Sequence, residues 1–211
     1  NWYVSNFQIQ AAQVVSDTGI SEHLSTTGNN LAQYTIFIFE NYPDHFNKIL
    51  MKLQERIPGI NSVKAEETSD GRIVLQFKDG SFKDPFISRY VSDGTIKMFA
   101  YLMLLNDPKP HPLLCVEEPE NYLHPELLAE LAEEFREYAN RGGQVFISTH
   151  SPDFLNALDP SEVFWLQKKD GYTSVVRASD DPAIKKLSSA GDKLGYLWLQ
   201  GYFTGSSPKT R

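Results

Sequence analysis

Three short polar stretches have the composition to handle a phosphate group. Glu117 and Glu118 follow the apolar run Leu113-Leu114-Cys115-Val116 and are stopped by Pro119. Two adjacent carboxylates beside a phosphate can divide the work, one orienting Mg²⁺ and the other the attacking water. Ser92-Asp93-Gly94-Thr95 opens a helical pattern, and a glycine in a first helical turn lets backbone N–H groups approach an anion closely. Ser148-Thr149-His150-Ser151 closes a second apolar run. Each stretch also has a plainer reading. Acids solvate strand ends or favour a helix start, a Ser-Asp-Gly-Thr string caps a helix, and a histidine after a strand is often a hydrogen-bonded structural residue.

For the two acids and for the Ser-Asp-Gly-Thr string taken alone the plainer readings are preferred; the elements that must position these groups change the balance for His150. Leu113 to Val116 reads as a buried parallel strand, being short, continuous and apolar. After Pro125, Leu127, Leu131, Phe135 and Tyr138 form one stripe, and Glu126, Glu130, Glu133 and Glu137 face away, giving an amphipathic crossover helix. Gly142-Gly143 ends it, and Gln144-Val145-Phe146-Ile147-Ser148 is the next strand. Strand, helix and strand in that order build a right-handed parallel unit. Glu118 and His150 are therefore expected at the same carboxyl edge of the sheet, where open α/β sheets bind ligands. That shared edge makes a polar site the stronger reading of His150.

Taken together, the strand with its acidic pair resembles a Walker B motif. Val91-Ser92-Asp93-Gly94-Thr95 resembles the signature motif, and Ser148-Thr149-His150-Ser151 the switch-histidine motif, of ABC-type ATPases. The combination resembles the RecF/SMC-like branch of the AAA-family ATPases over residues 29–204. The resemblance implies an α/β fold, the carboxyl-terminal lobe of a P-loop NTPase of ABC type with a parallel sheet core, flanking helices and an antiparallel β-meander. It implies ATP and Mg²⁺ as cofactors, with Glu117 the metal residue, Glu118 the general base or water-orienting group, and His150 a contact to the γ-phosphate. Ser92, Asp93, Gly94 and Thr95 would meet ATP bound mainly by a second subunit, and Asn121 to His124 would be the D-loop joining the two sites. Glu117 departs from the commoner aspartate by one methylene.

No Gly-x-x-x-x-Gly-Lys-Ser/Thr string occurs in the 211 residues, so the main cradle for ATP phosphates is expected on an amino-terminal Walker A lobe. The chain opens on Asn1 and reads as an excerpt; alone it should be almost inactive. Its expected partners are that lobe and a second ATPase subunit, with DNA left open. In the alternative reading the lobe is a non-catalytic nucleotide-sensing or dimerisation module that controls a DNA-acting or defence partner.

The rest of the chain reads as scaffold. Residues 1–28 are expected to be a connector or arm. Residues 30–41 and 43–57 read as two helices, although Tyr34 to Phe39 is rich in β-formers and is assigned to a helix through the resemblance. Residues 60–87 alternate between turns at Asp70-Gly71 and Asp79-Gly80, predicting a three-stranded meander with Ile73, Leu75 and Phe77 on one face. Residues 88–158 carry the signature helix and the catalytic strands; Lys97, one turn beyond the Ser92 to Thr95 string, is read as a surface lysine, with a part in neutralising the γ-phosphate as the alternative. Residues 162–178 form a hairpin about Asp170-Gly171 that extends or closes the sheet, and Gly195 to Leu199 docks as a helix or turn. Residues 205–211 form a mobile tail.

A content of 41% hydrophobic and 12% aromatic residues supports a real core, and the net charge of −7 excludes a surface built wholly to bind nucleic acid or anionic lipid. The longest apolar run, Met98 to Leu105, is too short to span a bilayer. One cysteine, Cys115, cannot form an intrachain disulfide; it is expected to pack inside a strand in a reducing, cytoplasmic compartment. Ser148, His150 and Asp153 have the residue types of a hydrolase triad but no nucleophile elbow. His111, Cys115, His124 and His150 lack the paired spacing of a zinc site.

Overall fold

The computed structural model describes residues 2–19, 21–169 and 171–206. They form two compact units, one of Asn1–His124 with Glu134–Ser148 and one of Pro125–Glu133 with Thr149–Arg211. The first unit runs β1 (Trp2–Ser5), α1 (Ile9–Ala12), β2 (Ser16–Asp17), α2 (Leu31–Asn41), α3 (Pro43–Arg56), β3 (Ile60–Glu67), β4 (Arg72–Asp79), β5 (Phe86–Ile87), α4 (Asp93–Leu105) and β6 (Leu113–Glu117). Helix α5 (Leu128–Asn140) begins in the second unit and ends in the first, leading to β7 (Gln144–Ser148). The second unit adds α6 (Pro152–Leu155), β8 (Phe164–Lys169), β9 (Tyr172–Arg177), α7 (Pro182–Ser189) and α8 (Leu194–Leu199).

The central sheet is parallel, in the order β1-β6-β7. Residues 2–5, expected in a connector, instead form an edge strand, with Trp2 opposite Leu113 and Val4 opposite Cys115. The strand period decides which side chains are buried. Tyr3, Leu114 and Val116 lie at 4% exposure or less on one face, whereas Val4, Cys115 and Phe146 align on the other. Cys115 is therefore only half-buried, and Val4 and Phe146 are exposed. The expectation of a fully packed cysteine fails because the face it shares is uncovered among the described residues.

Helix formation follows the predicted segments closely. Tyr34 to Phe39 is helical despite its β-forming composition, because Leu31, Tyr34, Thr35 and Ile38 recur on one buried stripe. In α5, Leu131, Phe135 and Tyr138 are buried, and Glu130, Glu133 and Glu137 are exposed, as their spacing predicts; Glu126 and Leu127 lie in the 3-10 turn before it, exposed and half-buried. Glu134, between the acidic positions, is buried and accepts hydrogen bonds from Lys52 Nζ at 2.6 Å and Arg56 Nη2 at 2.6 Å on α3.

The meander forms with β3 and β4 antiparallel, and β2 and β5 both pair with β4. Gly71 adopts φ +74° in the β3–β4 turn, a conformation that a residue with a Cβ resists. The Asp79-Gly80 dipeptide does not make the tight hairpin expected of it. It opens a longer connection, and β5 starts only at Phe86. Ile73, Leu75 and Phe77 are all buried, as the alternation requires.

The second unit has its own core of Leu155, Val163, Trp165, Ala178, Ile184, Leu194, Leu197 and Phe203. Strands β8 and β9 form a separate two-stranded antiparallel sheet and do not extend the central one, correcting that expectation. Asp170 of the expected turn lies outside the described residues. Gly195 lets α8 pack on α6, since a Cβ there would fall 1.9 Å from the Pro152 carbonyl oxygen. Of the expected tail, Ser206 is anchored: its Oγ donates to the Phe203 carbonyl at 2.7 Å and accepts from Trp198 Nε1 at 3.2 Å. Residues 207–211 lie outside the described residues. No helix among the described residues is long and apolar enough to cross a membrane.

Candidate functional site

The chain turns sharply where β6 ends. Glu117 is exposed and stands in register with Ser148, the last residue of β7. The two strands therefore finish together at one carboxyl edge. Glu118 continues the pairing by one bond, its N–H donating to the Ser148 carbonyl at 2.9 Å, and its backbone then enters the left-handed region at φ +43°. A non-glycine residue held there costs about 1–3 kcal/mol and persists only when its surroundings fix it. Three bonds do so: the Asn121 N–H donates to the Glu118 carbonyl at 3.2 Å, Lys97 Nζ donates to the same carbonyl at 3.3 Å, and Asn121 Nδ2 donates to Glu118 Oε2 at 2.8 Å. Asn121 thus closes the turn and aims the Glu118 carboxylate.

Lys97 is the residue whose surroundings differ most from the sequence reading. Read as a surface lysine, it is 4% exposed. Its ammonium group lies 5.6 Å from the Tyr101 ring centroid and 5.7 Å from that of Tyr122, within cation–π range. Burial pushes its pKa down to about 8, and the negative charges of Glu120 and Glu118 recover part of that loss. The available signal was the absence of a polar face: α4 is buried continuously from Thr95 to Leu105, leaving no solvent side for a lysine.

The pKa shift predicts a pH dependence of stability. The folded value lies below the ordinary value of 10.5, so between these pH values the unfolded chain binds the proton and the folded chain does not. Stability then rises with pH across that window and is lost as pH falls through about 8. A rise on the order of 1 kcal/mol is expected in urea unfolding between pH 8 and about 9, below the range in which the buried Tyr3, Tyr34, Tyr101 and Tyr138, whose pKa values burial raises, begin to lower stability with pH. Lys97→Met should flatten the rise; an equally steep slope in the variant would assign it to other groups.

The Ser92 to Thr95 turn is built around its own chain. Ser92 Oγ accepts the Thr95 N–H at 3.2 Å and shares a 2.8 Å hydrogen bond with Thr95 Oγ1, so Ser92 is the N-cap of α4. Ser92 is exposed, whereas Thr95 is buried and its hydroxyl is engaged internally. Asp93 Oδ1 accepts from Gln13 Nε2 at 3.2 Å, which ties this turn to α1. Gly94 does allow a close approach, but by the chain itself: a Cβ there would lie 2.7 Å from the Tyr122 carbonyl oxygen. Tyr122 is also in the left-handed region, at φ +70°. Gly94→Ala is therefore expected to push the 118–123 turn away from α4 and to cost about 1–3 kcal/mol in chemical denaturation. A variant as stable as the parent would show that the turn yields without strain.

The structure thus gathers Gly94 against Tyr122 and Asn121 against Glu118 in the first unit. His124 is exposed at the end of that unit. His150 belongs to the second unit and is exposed there, between Thr149 and Ser151; the Thr149 hydroxyl accepts the Ser151 N–H at 3.0 Å, and Ser151 Oγ caps α6 by accepting the Phe154 N–H at 3.1 Å. For a cation beside a phosphate, Glu117 offers an exposed carboxylate at the strand end, and one such ligand fits Mg²⁺, which keeps several waters and takes the rest of its shell from phosphate oxygens.

The comparisons agree with this architecture. A solved chain from work on "ATP-driven dimerization and DNA stimulated activation of SMC ATPases" is similar with a TM-score of 0.54 and 17% identity, over 75% of this chain and 98% of that one. An SmcHead bound to the C-winged helix domain of ScpA gives 0.53 and 19%, over 75% of this chain and 48% of that one. An Smc head domain from Pyrococcus furiosus, with an extended coiled coil and bound to the C-terminal domain of ScpA, gives 0.54 and 16%, over 76% and 41%. The chain spans less than half the length of these last two. At such identities the likeness establishes the fold: a P-loop NTPase-type α/β fold with a parallel sheet and flanking helices, as expected. No curated protein matches the sequence. Residues 21–156, well over half of the chain, match the family described as "AAA domain, putative AbiEii toxin, Type IV TA system". The chain belongs to that AAA-domain family of P-loop ATPases.

Proposed function

We propose that the chain is the carboxyl-terminal lobe of a dimeric ABC-type ATPase, in which Glu118 orients the water that attacks the γ-phosphate of ATP and accepts its proton. The observation that carries this reading is the turn at Glu118. A carboxylate at the carboxyl edge of a parallel sheet is aimed by Asn121 Nδ2 from a strained backbone position that Lys97 and Asn121 hold. A fixed carboxylate suits the positioning of a nucleophile, where small displacements cost large factors in rate.

The other residues take roles around it. Glu117 would hold Mg²⁺, which supplies charge neutralisation on the phosphates when bound. Ser92 and the Gly94 backbone meet the γ-phosphate of a nucleotide carried by a second subunit, with Thr95 shaping the turn. The Gln13 contact keeps the Asp93 carboxylate tied within its own chain. Asn121 and His124 border the D-loop between the two nucleotides, and His150 contacts the γ-phosphate. The phosphate loop, absent from these 211 residues, comes from another segment. The similarity to SMC ATPases for which ATP-driven dimerisation and DNA stimulation are described supports a second copy as partner and DNA as an activator to be tried.

Single-turnover ATP hydrolysis by the intact protein carrying Glu118→Gln tests the assignment. The chemical step should slow while nucleotide remains bound; hydrolysis at the parental rate overturns it.

A further inference from the structure

At the opposite end of β6 from Glu117, His23 meets two residues of the loop before that strand, Asp107 and His111. His23 Nδ1 lies 3.3 Å from Asp107 Oδ2, and one ligand atom from each of His23, Asp107 and His111 falls within 4.8 Å of the others. The His23 and His111 rings are 5.4 Å apart. From these residues we infer a site for one divalent transition-metal ion of the zinc class, bound by two imidazoles and a carboxylate.

Asp107 is the first reason. It is 4% exposed and sits just past the carboxyl end of α4, where the helix dipole is negative and a carboxylate is disfavoured. A buried carboxylate needs a cation or a full set of donors. Its Oδ1 accepts the Lys109 N–H at 2.7 Å, the buried Tyr34 hydroxyl lies beside the carboxylate, and Oδ2 faces His23 at 3.3 Å. The nearby cations are directed elsewhere, Lys109 Nζ to Glu22 at 3.5 Å and Arg141 to the Leu105 carbonyl. Among the described residues His23 is the one cationic partner of Asp107, and only when protonated.

His111 is the second reason. Its Nε2 is enclosed by protein without a hydrogen-bond partner, a costly state for an imidazole nitrogen. The Tyr3 ring, 5.0 Å away and tilted by 31°, packs against its ring.

The donor set and its spacing fit the ion. Imidazole and carboxylate ligands suit Zn²⁺, and ligand atoms at about 2.0–2.1 Å in tetrahedral array stand roughly 3.3 Å apart. The His23–Asp107 pair already has that separation. The exposed His23 side chain is the one able to swing and close the third edge, and its solvent side leaves room for a water as fourth ligand. Bound there, the ion ties the segment before α2 to the loop that delivers β6. It lies the length of that strand, about 13 Å, from the acidic edge. It is therefore distinct from the Mg²⁺ of the nucleotide and does not depend on the ATPase reading.

The test is titration of the intact, chelator-stripped protein with Zn²⁺ by calorimetry, and with Co²⁺ by visible absorption, for the parent, His23→Ala and His111→Ala. A saturable Zn²⁺ event at the parent site is expected, with a Co²⁺ ligand-field band that Zn²⁺ displaces and millimolar Mg²⁺ does not. Each variant should weaken the affinity at least about tenfold, and Zn²⁺ should raise the melting temperature of the parent but not of His23→Ala. Because His23 is partly exposed, that variant should fold and decides the matter even if His111→Ala does not. No saturable Zn²⁺ binding by the parent, or binding that His23→Ala leaves unchanged, overturns the inference.

Discussion

Glu118→Gln is expected to reduce ATP turnover by the intact protein about 10²- to 10⁴-fold, the range a positioned general base contributes. The substitution keeps the side-chain length and an oxygen able to accept from Asn121 Nδ2, now 2.8 Å from Oε2, so the turn should persist. What is lost is the negative charge and the capacity to take a proton. Nucleotide affinity should hold or rise, because the chemical step and not the binding surface is altered. Asn121→Ala is the informative companion: it leaves the carboxylate but removes the group that aims it, and should give a smaller loss. If Glu118→Gln hydrolyses ATP at the parental rate, the base lies elsewhere. If turnover collapses while the biological output is untouched, the chain acts as a nucleotide sensor and its hydrolysis is incidental.

Glu134→Ala should have the largest effect on stability, a loss of about 3–5 kcal/mol in urea unfolding. Glu134 is 2% exposed and receives both Lys52 Nζ and Arg56 Nη2 at 2.6 Å. Those side chains are themselves only 13% and 11% exposed. Removing the acid withdraws the main counter-charge from two poorly solvated cations, and the exposed Glu137, 2.8 Å from Lys52, and Glu55, 3.9 Å from Arg56, compensate only in part. Replacing Lys52, Arg56 and Glu134 together by apolar residues of similar size should recover most of the loss, since desolvating three charges is itself costly. A triple variant as unstable as Glu134→Ala would instead mean that packing at Glu134, and not charge, carries the effect.

The order of strands and helices around the candidate site was legible in the sequence because it is written locally. The run before Glu117, the apolar stripe of α5, the glycines after it and the run ending at Ser148 each specify their element within a few residues. The resulting parallel register then brings Glu117 opposite Ser148. Ser92 as a cap was equally legible, since a cap needs only the next three residues. The independent hairpin was misread because strand propensity does not say which sheet a strand joins.

Other features could not be read from local sequence. The pairing of Trp2 with Leu113, the filling of the space beside Gly94 by the Tyr122 carbonyl, the burial of Lys97 and the meeting of His23 with Asp107 and His111 join residues far apart in the chain. The sequence by itself determined which groups could do chemistry and which elements carry them, because periodicity, capping and turn preference act over one or two turns of chain. The tertiary structure alone decided which groups are aimed, buried or brought together, because packing and desolvation depend on neighbours that no local pattern specifies.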